Sequence, residues 1–221
     1  MSCIVMTTIG SLGDLHPKIA IALELRQRGH EIVFATHQEY QDRIEALGFE
    51  FRRMRPDNTA LNDPEEMARM MDLKTGTEYV IGYWLLASLR ETYEDLLNTA
   101  KNADLIISGE GVVIARLVAE KLDIPWVFTI LQPMAFMSSY DPPVIPLFPY
   151  LAKLRKFGFV FNRGIIRLSK IISKPWVEPI DRFKKELGLP PLPGHPLFDC
   201  KYSPYLVLAL FSTALAKPQP D

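Results

Sequence analysis

Cysteine is scarce in this chain: Cys3 and Cys200 stand alone, one near each end of 221 residues. Two cysteines so far apart make no disulfide framework, and the usage fits a reducing cytoplasm. Long apolar runs are also missing. The uncharged apolar run at residues 79–89 lies between Glu78 and Arg90, whereas a membrane-spanning helix needs about 20 apolar residues. Neither sign of charge dominates. The 25 basic and 26 acidic side chains give a net charge of −1, so no global field recruits nucleic acid. No Asp-x-Asp pair occurs and no internal repeat is visible. The opening MSCIVMTTIGSLGD lacks the basic stretch that precedes the apolar core of a secretory signal. The expectation is a cytoplasmic protein that touches a membrane only peripherally, if it touches one.

What is present alternates between short apolar runs and helical stripes. Residues 2–8 (SCIVMTT) carry no helix caps and read as a buried parallel strand. The tight turn Gly10-Ser11-Leu12-Gly13-Asp14 follows. Pro17 suits a first helical turn, Ile19, Ala22, Leu23 and Leu25 form an apolar stripe, and Gly29 suits the C-terminal cap. Residues 31–36 (EIVFAT) make a second strand, and such a crossover implies parallel pairing. The pattern continues with helix 39–47, strand 49–53, polar loop 54–64, and a helix from Pro64 to about Leu73 with Asp63 as N-cap. A long helix 79–101, strand 104–108, helix 112–122 and strand 126–131 come next. Residues 133–149 are proline-rich and irregular. A basic amphipathic helix over 153–174, a helix over 177–187 closed by Gly188, and a strand over 205–211 complete the series. The fold class is α/β, a Rossmann-like parallel sheet flanked by helices. One domain is expected over residues 1–216, with a helical annex at about 147–188 and a linker starting at 217–221.

Two readings compete for the first turn. Its glycines serve a strand-to-helix turn and nothing more, or the turn is a ligand site, since parallel α/β sheets bind ligands beyond the carboxyl ends of their strands. Amides at a helix start favour a phosphate. Asp14 among them repels one, and makes more sense as a base facing a neutral hydroxyl. A nucleotide-binding oxidoreductase domain is a further alternative. Its fingerprint G-x-G-x-x-G is broken here by Thr8, and Thr36-His37 stands where the ribose-binding acid belongs.

The string TTIGSLGDLHPKIAIALELRQRGHEIVFAT resembles the N-terminal signature of GT-B glycosyltransferases, in the family 28-like branch that decorates sterols, lipids, antibiotic aglycones and other hydrophobic acceptors. The resemblance rests on Gly10, Ser11, Gly13, Asp14, Pro17, Arg28, Gly29, His30 and Thr36. It continues more weakly through residues 104–108, 132–143 and 186–191. It implies the N-terminal, acceptor-binding half of an inverting hexosyltransferase. A UDP- or dTDP-sugar is then the co-substrate, with no other cofactor and no metal. A C-terminal donor-binding domain lies outside this chain, which alone transfers no sugar at a useful rate. A non-catalytic acceptor-binding or partner module is the alternative from another class.

Residue by residue, the resemblance makes Asp14 the general base and sets Ser11 and Gly13 against the donor diphosphate. A free Asp has a pKa of about 3.9, so it takes the proton as the new bond forms, not before. Leu12 and His16 are expected near the acceptor, although His16 reads equally as a solvent-facing residue. Glu110, in a Gly-Glu-Gly turn after the fourth strand, either contacts acceptor or base or is a plain turn residue. Gln132, Met134, Phe136 and Tyr140 follow the fifth strand and suggest an apolar acceptor pocket; ordinary packing is the alternative. Residues 142–177 hold seven basic side chains and no acidic one. Arg163, Arg167, Lys170 and Lys174 recur at helical spacing beside Phe161, Ile165, Leu168 and Ile172. Segment 153–174 therefore either lies in a membrane interface or packs as a surface helix.

Overall fold

The computed structural model describes residues 1–57, 63–142, 153 and 155–221. The central part of the expected polar loop, the proline-rich stretch 143–149 and the start of the helical annex lie outside the described residues. A six-stranded parallel sheet organises the rest. Its strands are β1 (Cys3–Thr7), β2 (Glu31–Thr36), β3 (Glu50–Arg53), β4 (Leu105–Ser108), β5 (Trp126–Ile130) and β6 (Leu206–Ala209). They lie in the order β3-β2-β1-β4-β5-β6. Val5 of β1 is in register with Val33 on one side and Ile106 on the other.

Both faces of the sheet are covered, which is why its strands read as apolar runs rather than alternating ones. Ile4, Met6, Ile32 and Phe34 face one layer with Leu15, Ile19 and Ala22 of α1 (Leu12–Gln27) and Ile44 of α2 (Gln41–Ala46). Val5, Val33, Ile106 and Phe128 face the other, with α5 (Leu89–Ala100), α6 (Ala115–Leu122) and the final helix. Neighbouring residues on a strand therefore go to opposite cores. Between β3 and α5 lie α3 (Pro64–Met70), capped by Asp63 as its sequence suggested, and the short α4 (Gly76–Tyr79).

Two helical readings need correction. The expected helix 79–101 is interrupted: α4 passes into a π-helical turn at Val80–Leu85, and α5 starts only at Leu89. The expected pair of helices over 153–174 and 177–187 is one 28-residue helix, α7 (Phe159–Glu186), with Pro175 and Pro179 inside it. A proline removes the hydrogen bond to the carbonyl four residues back. The carbonyls so freed belong to Ile171 and Pro175, both exposed residues. Burial of Val177, Ile180 and Phe183 carries the helix through. Phe183 meets Tyr93 edge-on at 5.1 Å, and the buried Lys184 pairs with Glu120.

Candidate active site

The sheet changes direction of winding between β1 and β4. The chain leaves β1 toward β2 on one side and leaves β4 toward β5 on the other, opening a crevice at the carboxyl ends of both strands. The loop after β1 and the Gly109-Glu110-Gly111 turn after β4 form its walls. The two pack closely: a Cβ at Gly111 would stand 2.7 Å from the Ile9 carbonyl oxygen.

Asp14 sits in this crevice at the third position of α1, half-buried. Ser11 is the N-cap and the two residues close a capping box. The Ser11 amide donates to Asp14 Oδ2 at 2.8 Å and the Ser11 hydroxyl to the same oxygen at 3.1 Å. The Gly13 amide in turn donates to Ser11 Oγ at 3.2 Å. Oδ2 thus anchors the group within the turn. Ser11 and Gly13, expected against a diphosphate, spend these donors inside the turn. Leu12 and His16 are exposed on the helix start, and His16 Nε2 accepts from Arg43 Nη1 at 3.1 Å.

Gly10 makes this carboxylate position accessible. Its φ is +133°, and a Cβ there would lie 2.4 Å from Asp14 Oδ2. Gly10→Ala combines backbone strain with a clash on the anchored oxygen. The expected cost is about 1–3 kcal/mol of stability, read from denaturant midpoints, with a loss of any activity that uses Asp14.

Sequence reading missed what holds this loop. His37 is fully buried. Its Nε2 accepts the Gly10 amide at 3.0 Å, and its Nδ1 lies 2.5 Å from the Pro56 carbonyl oxygen. Both contacts are made at once only by the neutral ring protonated on Nδ1. Tyr40 donates its hydroxyl to the Gly10 carbonyl at 2.8 Å, and Thr36 donates to the Thr8 carbonyl at 2.8 Å. Thr36-His37 thus occupies the end of β2 to clamp the backbone of the loop after β1. Only the pairing of distant elements reveals it.

Burial holds the His37 pKa below its ordinary 6.5. The unfolded chain therefore takes up the proton first. Stability from the neutral ring is complete above about 6.5 and is lost as pH falls through the lower folded value. Unfolding midpoints are expected to fall in acid, with a smaller acid dependence in His37→Gln; identical acid dependence in the two proteins would contradict this role.

A second unread residue is Lys18, 1% exposed. Its ammonium donates to the Asp14 carbonyl at 3.3 Å and lies 2.6 Å from the position a Gly109 Cβ would take. Burial lowers its pKa to about 8, against the pull of the Asp14 and Glu110 carboxylates. Glu110 is raised, first by burial and also by Asp14, while Lys201 and Lys18 oppose the rise. Asp14, Glu110, Lys18 and Lys201 are thus one electrostatic group at the crevice. Glu110 is close enough to Asp14 to feel its charge.

The remaining expected acceptor residues divide. Phe136 lines a cleft of about 380 Å³ with Pro133, Ser138, Asp141, Ala209 and Phe211, at the carboxyl ends of β5 and β6. Its ring stacks 6.2 Å from Tyr202. Gln132, Met134 and Tyr140 are exposed and outside that lining, and Tyr140 packs 4.8 Å from Phe159 of α7. Among the described residues no three His, Cys, Asp or Glu side chains are grouped to hold a metal ion.

A doubly wound parallel sheet flanked by helices defines a Rossmann-like domain, and the solved structures that share the fold are GT-B glycosyltransferases. The glycosyltransferase of kitacinnamycin matches with a TM-score of 0.58 at 18% identity, over 100% of this chain and 48% of its own. The Streptomyces sp. SF2575 glycosyltransferase SsfS6 matches with a TM-score of 0.55 at 19% identity, over 87% of this chain and 48% of its own. Residues 4–135 match the glycosyltransferase family 28 N-terminal domain, and the chain belongs to that family. Sterol 3-beta-glucosyltransferase ATG26 of Gibberella zeae is 30% identical over 193 residues, 83% of this chain and 12% of the relative. UDP-sugar-dependent glycosyltransferase 52 of Dictyostelium discoideum is 28% identical over 231 residues, 99% of this chain and 13% of the relative. The chain thus spans about an eighth of the curated relatives and about half of the solved structures.

Proposed function

We propose that this chain supplies the acceptor side of an inverting sugar transfer from a nucleotide-sugar to the hydroxyl of a sterol or similar lipid alcohol. The carrying observation is Asp14, anchored through Oδ2 at the switch point with Oδ1 left for an acceptor hydroxyl. Asp14 takes the hydroxyl proton as the oxygen attacks the anomeric carbon, and the nucleoside diphosphate leaves from the opposite face. Ser11 and Gly13 sit at the positive end of α1, whose dipole favours a departing diphosphate. Phe136 and its cleft offer an apolar wall of a size suited to a small molecule. Leu12, His16, Glu110, Gln132, Met134 and Tyr140 border the acceptor route in this reading.

The donor is a UDP- or dTDP-sugar. The reading is supported by the relative named for UDP-sugar and by SsfS6, solved with thymidine diphosphate. A donor-binding domain, joined through a linker that begins at 217–221 or supplied by a partner chain, completes the site. Residues 1–216 form the acceptor domain. The setting is cytoplasmic, at a membrane carrying the acceptor. The test is product formation from UDP-glucose and a sterol by the chain joined to its donor domain. A sterol glucoside whose yield collapses in Asp14→Asn supports the reading; undiminished yield in that variant refutes the base.

A further inference from the structure

We infer that the N-terminal half of α7 is a docking surface for an anionic lipid bilayer. This goes beyond the sugar-transfer reading and stands on exposure and charge alone. The two halves of α7 differ. The C-terminal half is anchored in the core by Val177, Ile180 and Phe183. The N-terminal half turns its large apolar side chains outward: Val160 is 81% exposed, Ile171 70%, Ile172 58%, Leu168 56% and Phe161 39%. Phe157, in the turn just before α7, is 61% exposed and its ring lies 5.7 Å from that of Phe161.

These side chains form one stripe. At 3.6 residues per turn, Val160, Ile171, Leu168, Phe161 and Ile172 fall within an arc of about 120°. The buried Asn162, Ser173, Val177 and Ile180 occupy the opposite side. Arg163, Arg167, Lys170 and Lys174 fall together on one flank, in an arc of about 60°. Lys170 pairs with Asp199 at 2.5 Å and Lys174 pairs with Asp181. Arg163 and Arg167 have no carboxylate partner among the described residues, and both are exposed. No acidic residue occurs in the sequence from 142 to 177 to offset them.

An exposed apolar stripe of this kind marks an interaction surface. The unopposed arginines beside it choose the partner. An apolar stripe inserts by about 5–10 Å at the acyl boundary while basic residues on its flank meet lipid phosphates. α7 is too polar to cross a bilayer, and no helix among the described residues is long and apolar enough to do so. The contact lies in the plane of the surface.

The experiment is flotation of the full chain with two kinds of vesicle, one of phosphatidylcholine alone and one with roughly a third phosphatidylserine. The wild type is expected to float with the anionic vesicles and to release as salt rises. Arg163→Gln with Arg167→Gln is expected to weaken partition by roughly thirtyfold, and Val160→Ser with Ile171→Ser to abolish it. Thermal unfolding of both variants should match the wild type, because the altered side chains are exposed. Absence of flotation, equal flotation with both vesicles, or variants that bind like the wild type would overturn the inference. So would a concentration-dependent dimer, lost in V160S/I171S, without vesicle binding. The readout involves no sugar, so its failure leaves the proposed transfer standing, and failed transfer leaves this surface standing.

Discussion

Asp14→Asn, in the chain joined to its donor domain, is expected to lower turnover by about 10²–10⁴-fold, the range general base catalysis contributes, while acceptor affinity stays within a few-fold. The substitution keeps the shape of the capping box. An Asn oxygen still accepts from the Ser11 amide, now 2.8 Å from Asp14 Oδ2. Fold stability is therefore expected to change by less than about 1 kcal/mol. Only the ability to take a proton is lost. Steady-state rates with a thermal unfolding control measure both quantities. Lost turnover with intact folding and acceptor binding is the expected pattern. A chain that binds acceptor and whose complete enzyme is indifferent to the substitution is instead a binding module.

Lys18→Met is expected to raise stability and lower function together. The buried ammonium has a pKa of about 8 against an ordinary 10.5. Between those values the unfolded chain binds more protons than the folded one, so stability rises with pH across that window. Below about pH 8 the folded protein carries the full cost of the buried charge, about 3 kcal/mol at the cited shift. Methionine removes the charge and keeps most of the apolar stem, so a gain of about 1–3 kcal/mol at neutral pH is expected. The rise in stability between pH 8 and 10.5 should shrink in the variant. Function moves the other way. Lys18 is the cation that Asp14 and Glu110 share, and without it the two carboxylates repel each other more strongly. The acid limb of the transfer-rate profile should therefore move to higher pH. A variant that is stabilised yet keeps the wild-type pH profile would show that Lys18 serves no role at the site.

Much of the sheet was legible because both of its faces are buried. Runs such as CIVMT and WVFTI are apolar at every position, and periodicity plus glycine punctuation located β1 to β6 to within a residue or two. Asp14 was legible because its signature is local: Gly10, Ser11, Gly13 and Asp14 stand within five consecutive residues. The residues that hold the loop were not legible, because their partners are distant in sequence. His37 reaches Gly10 across 27 positions and Tyr40 across 30. Thr36 had counted toward the family resemblance, and the pair Thr36-His37 as a departure from a dinucleotide fingerprint. Lys18 drew no reading from the sequence, because its burial is created only by the fold. In α7 the prolines suggested two helices, since propensity weighs each break locally while the Val177–Phe183 packing that overrides it is tertiary. For the stripe beside Phe161, sequence supplied the residues but not the decision between a packed face and a bare one. Ile165 proved half-buried, and Val160 and Ile171 joined the exposed set.

The central claim is a single displacement at the anomeric carbon, with Asp14 as base and the acceptor bound by this chain. The most direct measurement is the anomeric configuration of the product made from α-linked UDP-glucose and a sterol by the chain joined to its donor domain, read by proton coupling in the isolated glycoside. The account predicts the β-glucoside alone, absent when the 221-residue chain is supplied without the donor domain. An α-glucoside, a sugar–protein adduct trapped during turnover, or robust transfer by the 221-residue chain on its own would contradict it.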